Sequence, residues 1–236
     1  MGKIEDMKII CIRQPGYLPN IGFFQKMQAS DIFVYLDDTR YGSEKWDNRN
    51  KIRSDTGSMF LTVPIVKKTI KSLNQILIAE NEDWQKKHLG GIFLNYKKSP
   101  YFENYWPTLK QILEKKWNKL YELNLELINW IKNELKIETE TILSSELKID
   151  ETGNLKLLKI CEKLGATTYL SGKMGRDYLD ENEFQRKNIK IIYENYEYPK
   201  YKQIQKDFLP NMSVIDLLFN QGDNAAKIIK KSIKET

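Results

Sequence analysis

The chain has 236 residues, of which 41% are hydrophobic and 30% are charged, a composition typical of a soluble globular protein. No apolar run approaches the roughly 20 residues that a membrane-spanning helix needs, which argues against an integral membrane protein. The net charge of +6 fits nucleic acid, an anionic membrane surface or a phosphorylated small molecule as partner, and equally a lysine-rich solvated surface.

Cysteine usage indicates the compartment. Cys11 falls in a predicted core strand and Cys161 on a predicted helix, as expected of buried thiols in a reducing environment. The first ten residues carry acids and no cleavage-site pattern, so we expect no secretory signal and a cytoplasmic location. No Cys/His cluster has metal-binding spacing, so we expect no metal cluster, and the cofactor is unknown.

The first predicted elements are a strand at 9–12, a turn-rich loop, a short helix at 21–29 and a strand at 32–36. A strand, a helix and a second strand form a crossover that makes the two strands parallel, with their carboxyl ends at one sheet edge. We therefore expect Arg13, Gln14 and Tyr17 to lie close to Asp37 and Asp38. This edge is the predicted site.

Further along the chain we predict strands at 59–66, 76–78, 141–143, 167–170 and 189–193, helices at 102–116, 118–136 and 154–164, and a helix that Ser213 and Asp216 initiate. The strands at 8–12, 32–36, 167–171 and 189–193 should be parallel in one sheet. These elements predict a single α/β domain over 1–236, mostly a parallel, Rossmann-like sheet, with a helical subdomain at 83–136.

Three groups of polar residues could carry chemistry. Asp37 and Asp38 could bind a divalent cation through waters, orient an amine or hydroxyl, or accept a proton, and we expect Asp37 to matter more to function than to stability. Asn48, Arg49 and Asn50 offer donors to phosphate or carboxylate, unless they form a surface turn before a strand. The loop with Ser171, Gly172, Lys173 and Arg176 could cradle a phosphate, although it does not match a P-loop.

The sequence resembles the WbqC-like family of bacterial proteins, which occur with genes for O-antigen and other cell-surface polysaccharides. The resemblance covers nearly the whole chain. It is carried by Gln14, Pro15, Tyr17, Pro19, Gly22, Phe23, Phe24, Leu36, Asp37, Asp38, Trp46, Asn48, Arg49, Asn50, Leu61, Thr62, Val63, Pro64, the segments Trp84 to His88 and Tyr96 to Tyr101, Ser144, Ser145, Tyr169, Leu170, Ser171, Gly172, Tyr178, Leu179, Asp180, Tyr201, Gln203, Ser213, Asp216, Leu217 and Leu218. One position departs from the pattern, because many relatives carry His where this chain has Arg13.

The resemblance implies a role in surface-glycan assembly. We expect a transferase that acts on a nucleotide-linked or phosphorylated amino sugar, with an acyl or aminoacyl donor. In this hypothesis Gln14, Tyr17, Asp37 and Asp38 are catalytic. The residues that bind substrate or phosphate are Arg13, Asn48, Arg49, Asn50, Ser171, Gly172, Lys173, Arg176, Tyr201 and Gln203.

Two other kinds of protein remain as alternatives. A non-catalytic ligand-binding or scaffold protein of glycan assembly would use the same pocket only to hold its ligand. An RNA-binding protein is less expected, because Lys and Arg do not concentrate in one segment, although folding could gather them. A weaker likeness to nucleotidylyltransferase-like folds lacks both histidines of that group's motif at 20–23, so it implies the fold and not the adenylyl transfer.

Overall fold

A computed structural model of the protein describes residues 7–41, 46–66, 72–80, 83–195 and 198–231. The strands are β1 (Ile9–Arg13), β2 (Ile32–Tyr35), β3 (Arg49–Ser54), β4 (Gly57–Thr62), β5 (Glu140–Leu143), β6 (Thr168–Ser171) and β7 (Lys190–Tyr193). The α-helices are α1 (Ile21–Gln28), α2 (Trp84–Tyr96), α3 (Phe102–Glu114), α4 (Leu120–Glu134), α5 (Gly153–Lys163), α6 (Glu181–Arg186), α7 (Val214–Gln221) and α8 (Asn224–Lys231), with 3-10 turns at Leu73–Gln75, Ser144–Leu147 and Lys173–Asp177.

Five strands form a parallel sheet in the order β5-β2-β1-β6-β7, which confirms the predicted α/β class. The chain builds outward from β1 through β2 and β5, then returns to the other side of β1 with β6 and β7. The strand order therefore reverses between β1 and β6. In open α/β sheets this reversal opens a crevice at the carboxyl ends of the two strands, where ligands bind.

Both faces of the sheet are covered, which explains the nearly continuous apolar sequence of its central strands. Cys11 and Phe33 belong to the larger core, which includes residues of α1 to α4, α7 and α8. Ile10 and Ile12 point to the opposite face, where α5 and α6 contribute to a smaller core. No helix in the described part of the chain is long and apolar enough to cross a bilayer.

A separate antiparallel hairpin, β3–β4, pairs Lys51 with Phe60 and Ile52 with Met59. Its second strand confirms the strand predicted at 59–66, although it begins at Gly57 and ends at Thr62. The segment 76–78 is not a regular strand, because Leu77 and Ile78 form only isolated bridges with Lys119 and Ile65.

The helical stretch predicted at 83–136 is present as α2, α3 and α4. Ser213 caps α7 as expected, because its hydroxyl accepts a hydrogen bond from the Ile215 amide at 3.5 Å. Asp216 has a different role from the expected helix initiation, since its buried carboxylate accepts hydrogen bonds from Tyr96, Tyr201 and Gln203.

Candidate functional site

Three strand ends meet beside the point where the strand order reverses. Arg13 ends β1, Gly172 follows β6 and Glu194 follows β7. Cys11 pairs with Leu170, and Leu170 pairs with Ile192, so the residues two positions further on share one row and one face of the sheet. Arg13, Gly172 and Glu194 therefore lie side by side at the carboxyl edge.

Gly172 leaves the space into which its two neighbours point. A Cβ atom built on Gly172 would lie 3.0 Å from Nη1 of Arg13 and 3.8 Å from Oε1 of Glu194. The backbone of Gly172 has φ −71°, which any residue adopts, so the glycine is needed here for room. A guanidinium and a carboxylate thus converge on the same small space.

Lys26 reaches this row from α1 and forms an ion pair with Oε2 of Glu194. Both side chains are largely buried, at 6% exposed for Lys26 and 15% for Glu194. Burial lowers the pKa of Lys26, the positive charge of Arg13 lowers it further, and Glu194 opposes both. The ion pair fixes the Glu194 carboxylate so that Oε1 is the atom turned towards Gly172.

Arg13 is exposed, and among the described residues no carboxylate lies within ion-pair distance of it. The turn after Gly172 adds two more cations, the exposed Lys173 and Arg176, whose guanidinium carbon lies 4.7 Å from the centre of the Tyr193 ring. Cations outnumber carboxylates in this group. Within the described ranges, the edge therefore offers an anionic ligand a guanidinium that no carboxylate neutralises.

Ser171 is buried and packs against the turn that follows Gly172. It is 1% exposed, and its hydroxyl donates to the carbonyl of Gly172 at 3.3 Å. A Cβ on Gly175 would lie 2.1 Å from that hydroxyl oxygen, so Gly175 is required for the turn to pack on Ser171. Ser171 thus shapes the loop from the interior of the protein.

The two aspartates follow β2, and they contact Ser144 and Ser145, which follow the neighbouring strand β5. Asp37 is 1% exposed, and it accepts hydrogen bonds from the Ser145 amide at 3.0 Å, the Ser144 hydroxyl at 3.1 Å and the Asn74 amide group at 3.2 Å. Asp38 has a 21% exposed side chain, which shares the single Ser144 hydroxyl hydrogen with Asp37, at an oxygen–oxygen distance of 2.5 Å to Ser144, and accepts a hydrogen bond from the Lys156 ammonium at 2.8 Å. Asp38 is thus the more accessible carboxylate.

Gln14 links the loops that follow β1 and β2. Its side-chain amide donates to the Thr39 hydroxyl at 3.1 Å and to the Arg40 carbonyl at 3.2 Å. The structure therefore brings Gln14 to the segment that follows Asp37 and Asp38, where it ties two loops of the carboxyl edge together.

Several other predicted site residues are buried in the packing around the hairpin. The Tyr17 hydroxyl lies 2.8 Å from Nδ1 of His88, and burial raises the pKa of Tyr17. Asn48 donates to the Val63 carbonyl at 2.9 Å, and Asn50 donates to the Leu18 carbonyl at 2.7 Å. These side chains hold backbone and side-chain groups in place around the hairpin.

The remaining three predicted residues are also away from Arg13. Tyr201 and Gln203 donate to Oδ1 of the buried Asp216, at 2.7 and 2.9 Å. Arg49 lies on the hairpin, where its guanidinium carbon is 5.2 Å from the centre of the Phe60 ring. The predicted residues therefore fall into several groups, of which Arg13 and the Ser171 loop form one.

Sequence reasoning missed Lys26 and Glu194. Glu194 follows a predicted strand, so the strand-end argument that selected Asp37 could also have found it. Lys26 carries no comparable signal, because a lysine on a short helix is usually exposed. Among the described residues, no three His, Cys, Asp or Glu side chains are grouped as metal ligands would be.

Comparison with known proteins agrees with the resemblance seen in the motifs. The model of the WbqC-like protein family matches residues 14–228. An uncharacterized protein of Mycobacterium tuberculosis (strain ATCC 25618 / H37Rv) is 32% identical over 227 residues, which cover 95% of this chain and 98% of that protein. The family match includes the hairpin, Gly172 and Glu194, and it begins one residue after Arg13. The chain therefore belongs to the WbqC-like protein family.

Proposed function

We propose that the protein is a transferase that binds a nucleotide-linked or phosphorylated sugar where the strand order reverses. Arg13, with Lys173 and Arg176, holds the phosphate, and Oε1 of Glu194 accepts a hydrogen bond from a sugar hydroxyl. The observation that carries the proposal is the convergence of Arg13 and Glu194 on the space that Gly172 leaves open. A phosphorylated sugar carries both groups that this pair can bind.

The chemistry of the pair supports this ligand class. A guanidinium presents parallel N–H donors that match two phosphate oxygens. A carboxylate held by Lys26 through one oxygen keeps the other oxygen for a hydroxyl donor. The position at the reversal of strand order is where open parallel sheets bind ligands.

The transferred group in this proposal is an acyl or aminoacyl group, the acceptor is the amine of an amino sugar, and the setting is surface-glycan assembly. An amine that attacks an acyl carbon loses a proton, so the reaction needs an acceptor for it. Asp38 suits this role better than Asp37, because Asp37 is 1% exposed and already accepts three hydrogen bonds. Family membership supports the glycan setting, and the carboxylates at the same edge support the proton transfer.

Isothermal titration calorimetry with glucose 1-phosphate, UDP-glucose and unphosphorylated glucose tests the binding. We expect both phosphorylated ligands to bind and Arg13→Gln to weaken them about 10- to 100-fold, the scale of a charged hydrogen bond. Lys110→Gln is a matched control, because Lys110 has a 49% exposed side chain on α3. Equal affinity in the wild type and Arg13→Gln, or no binding of either phosphorylated ligand, overturns the proposal.

A second candidate function is a non-catalytic sugar-binding protein of the same assembly machinery. The observation that favours it is that Asp38 is already bound by Ser144 and Lys156, and Asp37 by three donors. Incubation with glucosamine 1-phosphate and an acyl-coenzyme A or aminoacyl donor, followed by mass spectrometry of the sugar, separates the two. Binding without transfer supports the second function, and an acylated product supports the first.

A further inference from the structure

The β3–β4 hairpin carries two large aromatic side chains that are about half in water. Trp46 is 52% exposed and Phe60 is 47% exposed. Their rings are stacked, with centroids 5.9 Å apart and an interplanar angle of 27°. Rings exposed to this extent gain little from burial, whereas exposed Trp and Phe are enriched where proteins bind partners.

Two basic side chains lie over these rings. Nζ of Lys51 is 5.2 Å from the centre of the Phe60 ring and 5.9 Å from that of Trp46. The guanidinium carbon of Arg49 is 5.2 Å from the centre of the Phe60 ring. Trp46, Arg49, Lys51 and Phe60 together form what we call the aromatic–basic face.

Strand alternation puts this face on the outside of the hairpin. Arg49 and Lys51 are two residues apart on β3, and Lys51 pairs directly with Phe60 on β4. The alternate residues Asn50, Ile52 and Leu61 point inward and are buried. The pairing of the two strands thus gathers charges and rings that are separate in sequence.

Among the described residues, the charges that lie over the two rings are those of Arg49 and Lys51, both positive. The segment after Tyr198 runs beside β3, since the Ser213 amide donates to the Lys51 carbonyl at 2.7 Å. The exposed acids Asp55 and Asp207 lie towards the other end of the hairpin, where Arg53 donates to the Asp207 carbonyl. The carboxylate-bearing neighbour of Trp46, Asp47, is 4% exposed.

We propose that the aromatic–basic face binds single-stranded nucleic acid. Bases stack on the exposed surfaces of Trp46 and Phe60, and phosphates contact Arg49 and Lys51, the combination that proteins use for single strands. The face lies on the outer side of a two-stranded hairpin, whereas small-molecule sites are concave and enclose most of their ligand. A strand that repeats its contacts suits such a surface, and this binding does not depend on the sugar site at Arg13.

The test is fluorescence anisotropy with a fluorescein-labelled ten-nucleotide oligouridylate, titrated with the full chain from 50 to 200 mM salt. We expect Phe60→Ala to weaken binding about tenfold, the scale of one lost base stack. Lys51→Gln should reduce the slope of log K against log salt by about 0.7, as expected for one lost contact to a single strand.

The controls are exposed residues on other elements, Leu94→Ala on α2 and Lys110→Gln on α3, which should leave both affinity and salt slope unchanged. Thermal melting compares the folding of every variant, and Lys51→Gln keeps the test decisive if Phe60→Ala is unstable. The proposal is overturned if the oligonucleotide does not bind at 50 mM salt, or if the hairpin variants and the controls bind it with equal affinity. Binding of heparin without binding of the oligonucleotide also overturns it.

Discussion

The carboxylate of Asp37 is surrounded by donors from three residues, Ser144, Ser145 and Asn74. Among the described residues, no arginine is within ion-pair distance of it. An amide in its place would turn an NH2 group towards one of these donors and leave that donor unpaired. This burial favours a structural role over the functional one expected from the sequence.

We therefore expect Asp37→Asn to lower the free energy of unfolding by about 1–3 kcal/mol, the usual cost of an unsatisfied buried group. Urea unfolding measures it, with Asp150→Asn as the exposed control. Unchanged stability together with a turnover lowered about 100-fold would instead identify Asp37 as a proton acceptor.

His88 links stability to pH. It is 4% exposed between the Tyr17 hydroxyl and the Thr62 carbonyl, and burial lowers its pKa from 6.5 to about 4. Between these two pH values the unfolded chain binds a proton that the native protein does not, so stability falls as the pH falls.

The expected loss at pH 5 relative to pH 7 is about 2 kcal/mol from this residue alone. Urea unfolding at both pH values should show a smaller difference for His88→Gln than for the wild type. An identical difference in the two proteins would mean that His88 does not contribute to this pH dependence.

The substitution Gly172→Ala tests whether the space beside Gly172 is needed for ligand binding and not for stability. The added methyl group occupies the space between Arg13 and Glu194, and it meets the end of a flexible arginine side chain. We expect little change in the melting temperature and about tenfold weaker binding of glucose 1-phosphate. Gly90→Ala on α2, where a Cβ meets nothing within 4 Å, is the control. Unchanged affinity in Gly172→Ala would show that the ligand does not use this space.

At the scale of elements, periodicity and turn residues were sufficient for the crossover β1–α1–β2 and for the later strands, because each is a short apolar run between turn formers. The sequence does not distinguish a phosphate-binding group at 48–50 from a surface turn before a strand, because the residues of β3, Arg49 to Ser54, are mostly polar. The polar side chains of β3 lie on both faces of the hairpin: Asn50 points inward and donates to the Leu18 carbonyl, and Lys51 points outward and lies over the Phe60 ring. The sequence alone does not show which polar residue belongs to which face.

Strand order determined which part of the site could be predicted. Strand order placed Arg13 and the Ser171 loop at one edge, since topology alone determines which strand ends meet. Hydrogen-bond partners such as Asp216 for Tyr201, or His88 for Tyr17, depend on elements that are distant in the chain. Those partners could not be predicted from local pattern.

Asp216 connects helix α7 to its neighbours, because it accepts hydrogen bonds from Tyr96 of α2 and from Tyr201 and Gln203 in the segment after Tyr198. Tyr201 donates its hydroxyl to Asp216 at 2.7 Å in the interior, and Tyr193 donates to Glu181 at the same distance on the surface. Tyr201→Phe should lower the free energy of unfolding by about 1–3 kcal/mol, and Tyr193→Phe by less than about 0.5 kcal/mol. Urea unfolding of both variants compares them. Equal losses would show that burial does not strengthen this bond.

At the scale of the whole molecule, we expect one cooperative unit, as the single-domain prediction requires. All five tryptophans lie between Trp46 and Trp130, so their fluorescence reports on the hairpin and the helices around it. Far-ultraviolet circular dichroism reports on the whole chain. The two urea transitions should coincide within error. Separate midpoints would show that the helical subdomain at 83–136 unfolds independently.

The ion pair between Lys26 and Glu194 joins residues 168 positions apart in the chain. Because α1 and β7 must both be in place before it can form, we expect the candidate sugar site to be completed late in folding. Contacts of such long sequence separation are slow to form because a large loop must close first. A ligand held there would stabilise only the finished fold, and it would slow unfolding by acting on the part of the molecule that is assembled last.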